Sequence, residues 1–167
     1  MGKYAYAKDK IEDQWEVGWC GGDKEVERET LAAIVVDASV VVKWFNVEEY
    51  SENAERLKDK HVKAQVTLVS PALMVFEVLN ALRYNPELGA SDVKEALGDL
   101  LGIQIKLYPV EEWMSQAIML AYDYGLTIYD ASYIALANHL NCLLYTADSE
   151  LLKKVKSDNI KHVSLLD

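Results

Sequence analysis

Cysteine is scarce in this 167-residue chain, and the two present, Cys20 and Cys142, lie far apart and match no metal-binding spacing such as CxxC. They offer no disulfide framework and read as reduced thiols, with Cys142 packed inside an apolar run. Histidine is equally thin. His61, His139 and His162 are scattered, and nothing around them resembles a histidine-based acid–base site. Positive charge is outweighed, 17 lysines and arginines standing against 27 acids for a net charge of −10. That balance argues against a passive nucleic-acid coat, which needs a basic stripe. It leaves a metal-dependent nuclease open, because a bound divalent cation cancels much of the field of clustered acids. No apolar run approaches the ~20 residues of a membrane span. The N-terminus is acidic and lacks the apolar stretch of a secretory signal. Together these absences lead us to expect a soluble, cytoplasmic protein. Internal repeats and low-complexity blocks are missing too.

What is present suits one folded domain. Half of the residues are apolar, and ten tyrosines and four tryptophans speak against disorder. A chain of this size buries roughly 70% of its unfolded surface without staples. Residues 1–30 read differently from the rest: charges are mixed with Gly21-Gly22, Trp15 and Trp19, without a sustained period. We take them as an N-terminal extension, either partly ordered or packing its tryptophans on a partner. The folded domain is expected over 31–167.

From Leu31 onward short apolar runs alternate with amphipathic segments, the pattern of an α/β domain. Leu31 to Asp37 is continuous and β-branched, as a buried strand requires. A helix over Val40 to Phe45 and a surface helix over Ser51 to Ala64 follow. A second strand is predicted at Val66 to Val69, and Ser70-Pro71 reads as a helix start, with serine as cap and proline in the first turn. That helix closes near Pro86 and Gly89. Further elements are a helix over Ser91 to Leu101, a strand from Ile103 to Leu107, and a helix over Glu111 to Tyr124 ended by Gly125. Thr127 and Asp130 then form a capping box for a helix running to about His139. A strand from Cys142, a helix over Asp148 to Val155 and a short strand over His162 to Leu165 complete the chain.

Most acids lie in charged, solvated stretches. Four do not. Asp37 ends the first strand, Glu77 interrupts an apolar helical run, Asp130 opens a helix, and Asp148 follows a strand. Unpaired carboxylates among apolar neighbours are costly. In open α/β sheets the carboxyl ends of strands and the starts of helices meet on one edge, which is where ligands collect. Brought together there, four acids would repel and their pKa values would rise until a divalent metal relieved them. Each also has a plainer reading, Asp37 as a turn residue and Asp130 and Asp148 as helix caps. Glu77 alone has no local excuse.

The blocks holding these acids resemble the PIN-domain family, and within it the VapC-type toxins. They are Val35-Val-Asp37-Ala-Ser39, Pro71-Ala-Leu-Met-Val-Phe-Glu77-Val-Leu-Asn80, Leu126-Thr-Ile-Tyr129-Asp130-Ala-Ser-Tyr133, and Thr146-Ala-Asp148-Ser-Glu-Leu151. They occur in the family's order over most of the chain beyond the extension, while the extension itself departs from the pattern.

The resemblance implies a PIN-like α/β fold, with a central parallel sheet of four to five strands flanked by helices. It implies a metal-dependent endoribonuclease in which Asp37, Glu77, Asp130 and Asp148 are catalytic and hold Mg²⁺ or Mn²⁺. Ser39 and Thr146 would support them, and Lys43 and Arg83 would contact phosphate or else pair with the site's acids. Trp44 would stack a base or, the simpler role, pack under the surface helix. The expected partners are RNA as substrate, a VapB-type antitoxin whose basic segment covers the acids, and a second copy in a homodimer. No membrane partner is expected. Rivals fare worse. A metal-binding adhesion module needs a second serine at position 41, where valine stands. A dehalogenase-type phosphotransferase needs an acid where Ser39 stands, and a receiver domain needs paired early acids. The remaining alternative is a PIN fold that no longer cuts and serves as an RNA- or protein-binding scaffold.

Overall fold

The apolar run Ala33–Val36 (β1) carries no polar residue, as a strand covered on both faces must. It occupies the centre of the sheet. In this computed structural model, which describes residues 31–110 and 113–166, Ile34 pairs with Leu68 on one side and Leu143 on the other. The neighbours are Thr67–Pro71 (β2) and Leu143–Thr146 (β4), with Lys106–Tyr108 (β3) and Ile160–His162 (β5) at the edges. All pairings are parallel, and the order is β3-β2-β1-β4-β5. The chain therefore fills one half of the sheet from the centre outward, returns, and fills the other. Such a reversal opens a crevice between β1 and β4 beyond their carboxyl ends.

Seven helices flank the sheet among the described residues: Ala38–Val41 (α1), Ser51–Val62 (α2), Met74–Arg83 (α3), Ala90–Gly102 (α4), Met114–Tyr124 (α5), Ile128–His139 (α6) and Ser149–Lys154 (α7). Helix α6 packs against β1, β2 and β4, and every residue from Ala131 to Ala137 is buried. A helix apolar all round belongs in a core, and this one forms the wall behind the crevice. Trp44, in the 3-10 turn after α1, lies under α2 as expected and donates its indole N–H to the Ala54 carbonyl at 2.8 Å. Cys142 is half-buried against the core, also as expected. No described helix is long and apolar enough to cross a membrane.

Three boundaries differ from expectation, each for a physical reason. Ser70 and Pro71 end β2 and do not start α3. The residue before proline is pushed toward extended backbone, and the end of a strand tolerates the missing N–H. The Ser70 hydroxyl donates to the Val36 carbonyl across the sheet at 2.8 Å, so it is not free to cap. Strand β3 begins at Lys106 and not at Ile103, because α4 runs to Gly102 and Gln104 turns the chain with a φ of 61°. Strand β5 ends at His162, where expectation had it begin. The His162 ring accepts the Ser164 amide and winds Val163–Leu165 into a 3-10 turn. Helix α5 is described from Met114, while Glu111 and Glu112 lie outside the described residues, as does the extension over 1–30 with Cys20, Trp15 and Trp19.

Candidate active site

Asp37 is the first residue beyond β1, and its amide extends the ladder by donating to the Tyr145 carbonyl of β4 at 3.1 Å. Its carboxylate caps α1 by accepting the Ser39 amide at 3.1 Å. The other oxygen accepts the Thr146 hydroxyl from the end of β4. Thr146 is fully buried, and with its one proton on Asp37 it accepts the Asp148 amide at 3.0 Å. The Ser39 hydroxyl lies 3.3 Å from that of Thr146 and accepts the Ala147 amide at 2.9 Å. Ser39 and Thr146 thus clamp the ends of β1 and β4 together and orient Asp37.

Glu77 stands on the first turn of α3, half-buried, and accepts the Tyr133 hydroxyl from α6 at 2.5 Å. Tyr133 lies one turn beyond Asp130, which puts both on one face of α6. Asp130 caps α6 together with Thr127: its amide donates to the Thr127 hydroxyl at 3.0 Å, and that hydroxyl, in place of the Thr127 amide, donates to its carboxylate at 2.8 Å. The plain reading of Asp130 as a cap therefore holds, and its electrostatic part is visible as well. Burial pushes the Asp37 carboxyl above its ordinary range despite the Thr146 and Ser39 hydrogen bonds, and the charge of Asp130 adds to the rise. Burial pushes Glu77 up to about 7; the Tyr133 hydroxyl pulls it back, while Asp37 and Asp130 push it further. Three carboxylates from three different elements therefore stand within one another's fields.

Asp148 is placed differently. Its amide is tied to Thr146, but its carboxylate accepts the Glu150 and Leu151 amides at 2.7 and 3.2 Å and caps α7. Among the described residues no group of three or more His, Cys, Asp and Glu side chains is set to hold a metal ion. The donor chemistry nevertheless fits a hard divalent cation, since the converging groups are carboxylate oxygens with no thiolate or imidazole among them. No described lysine or arginine forms an ion pair with the four acids.

The two basic residues expected near the site part company. Lys43 pairs with Glu48 at 3.5 Å, so it neutralises none of the four acids. Arg83 is exposed at the end of α3 and lies 5.1 Å from the Tyr84 ring centroid, on the rim of a cleft of about 480 Å³ that Asn80, Leu88 and Val93 also line. Sequence reasoning passed over Tyr133 as a site residue. Its three-residue spacing from Asp130 was the available signal.

The PIN-domain family model matches residues 34–157, the span that carries all four acids. The chain belongs to the PIN-domain family. Among similar PIN-domain proteins, Ribonuclease VapC3 of Pyrobaculum aerophilum is 34% identical over 127 residues, covering 72% of this chain and 93% of that protein. Exonuclease VapC9 of the same organism is 33% identical over 99 residues, covering 59% and 74%. The crystal structure of PAE2754, also from Pyrobaculum aerophilum, matches with a TM-score of 0.57 at 28% identity, over 81% of this chain and 93% of that one.

Proposed function

We propose that this PIN domain is a metal-dependent endoribonuclease of the VapC toxin type, hydrolysing RNA phosphodiester bonds. One observation carries the reading: Asp37, Glu77 and Asp130 come from three separate elements to one edge of the sheet, close enough for the other two to help push Glu77 up to about 7. A purely structural protein gains nothing from such an unrelieved cluster, whereas a metal nuclease needs it. Mg²⁺ or Mn²⁺ would be held by Asp37, Glu77 and Asp130, with Asp148 completing the set. When bound, such an ion supplies an activated water and positive charge for the phosphate and the leaving oxygen.

The chain's own residues do the rest. Ser39 and Thr146 hold the Asp37 carboxylate in one orientation. Arg83, exposed two turns beyond Glu77 on α3, offers a guanidinium to a flanking phosphate. Lys43 would do so only after leaving Glu48. As partners we assign single-stranded RNA, a VapB-type antitoxin presenting a basic segment to the acids, and a second copy of the chain. The exposed apolar residues Ile118, Met119 and Tyr122 on α5 support the last.

A non-catalytic PIN-fold scaffold is the second reading, favoured by the commitment of the Asp148 carboxylate to its own helix. One assay separates the two. Partner-free protein is incubated with linear and circular single-stranded RNA pools in Mg²⁺ or Mn²⁺, beside Asp37→Asn and an EDTA control. We expect the wild type to cut both pools and the controls to lose at least ~100-fold in rate. Cutting of the linear pool alone would make the enzyme an exonuclease. No cutting of either would leave the scaffold.

A further inference from the structure

Three of the four acids are held by groups within three residues of themselves: Asp37 by the Ser39 amide, Asp130 by the Thr127 hydroxyl, and Asp148 by the Glu150 and Leu151 amides. Glu77 has no such local support. Its partner is the Tyr133 hydroxyl, 56 residues further along the chain. A glutamate has three side-chain rotors, and one left half-exposed would spread over several rotamers at a cost to any ligand that needs one of them. Tyr133 cannot spread. It is 1% exposed and sits inside the buried run of α6. A phenol has one proton to give, and here it goes to Oε2 of Glu77. This one hydroxyl joins α3 at Glu77 to α6 one turn from Asp130.

We propose that Tyr133 is a positioning residue, pinning Oε2 of Glu77 so that Oε1 is presented to the divalent cation. The proposal rests on the metal-nuclease reading and adds to it a residue that never touches the ion. Tyr133→Phe keeps the ring in its packing and deletes only the hydroxyl. Mn²⁺ binding to the partner-free full-length chain is measured by the paramagnetic resonance of free Mn²⁺. RNA cleavage is then titrated with Mn²⁺, and a melt in EDTA reports the fold. Outer-shell partners of metal ligands are worth about 10–100-fold in affinity. We therefore expect Tyr133→Phe to weaken Mn²⁺ binding at least ~10-fold, with KM for RNA unchanged and kcat largely recovered at saturating Mn²⁺. In a Glu77→Ala background, adding Tyr133→Phe should change Mn²⁺ affinity no further. That comparison can be read even if the single phenylalanine variant is too unstable to assay.

A folded Tyr133→Phe that binds Mn²⁺ as the wild type does would overturn the proposal alone. An equal loss in the Glu77→Ala background would do the same, since it would mean general loosening and no action through Glu77. Wild type that takes up no Mn²⁺ would remove the metal-nuclease reading and the role of Tyr133 with it.

Discussion

A half-buried glutamate pushed up to about 7 works against the fold once it loses its proton. In the unfolded chain Glu77 titrates near its ordinary 4.5. Between about pH 4.5 and 7 the folded state therefore keeps a proton that the unfolded state has released. Stability falls as pH rises through that window and is flat, on this account, above it. The full shift would be worth several kcal/mol, but Glu77 is partly solvated, and about 1–2 kcal/mol is the figure we expect. Urea unfolding in EDTA at pH 5 and pH 8 tests this. Wild type should lose stability between the two, and Glu77→Gln, which still accepts the Tyr133 hydroxyl, should lose less and be the more stable at pH 8. Equal pH dependence in the two proteins would show that Glu77 is not under tension. Of the residues at this scale, Glu77 was legible in the sequence because nothing local accounted for it. Tyr133 was hidden, since an aromatic in an apolar helix looks like packing until the fold places a carboxylate against its hydroxyl.

At the scale of elements, legibility followed how much of the signal was local. The cap at Thr127 and Asp130, the stop at Gly125 and the apolar run of β1 each depend on a few neighbouring residues, and each formed as expected. Ser70-Pro71 failed because its hydroxyl found a partner across the sheet, 34 residues away, that no local rule could weigh against capping. The edge strands β3 and β5 are three residues each, too short for alternation to mark their ends. Helix α5 raises a different question, since it shows apolar residues on both faces. Ala117 and Ala121 are buried, while Met119 and Tyr122 are 61% and 85% exposed. Exposed apolar faces of this kind mark interaction surfaces. If α5 is the homodimer face, Tyr122→Glu should convert the partner-free protein from dimer to monomer in light scattering. Its melting would barely change at low protein concentration, because so exposed a side chain supports little of its own domain. A wild type that is already monomeric, or a variant still dimeric, would take α5 out of the assembly.

For the whole molecule, the strand order places the site. Two halves of a parallel sheet wound from the centre leave a crevice beyond β1 and β4, and Asp37 and Asp148 follow those two strands. Alternating apolar runs foretold an α/β domain, and the family resemblance implied its parallel sheet. They left strand order open, although the strand-end rule already set the four acids on one edge. We propose that the folding unit is residues 31–167. Every described strand, every described buried residue and all four acids lie between Ala33 and Leu166, and the PIN-domain match begins at residue 34. A chain shortened by removal of residues 2–30 should therefore unfold in one cooperative transition, with a midpoint within a few degrees of the full-length protein. It should also keep metal-dependent cleavage, at a rate within about threefold at matched Mn²⁺. Differential scanning calorimetry followed by the circular-RNA assay gives both readings. A cooperative melt with lost cleavage would assign residues 1–30 to RNA capture or to the site. A collapsed melt would make them part of the domain, and the boundary at residue 31 would have to move.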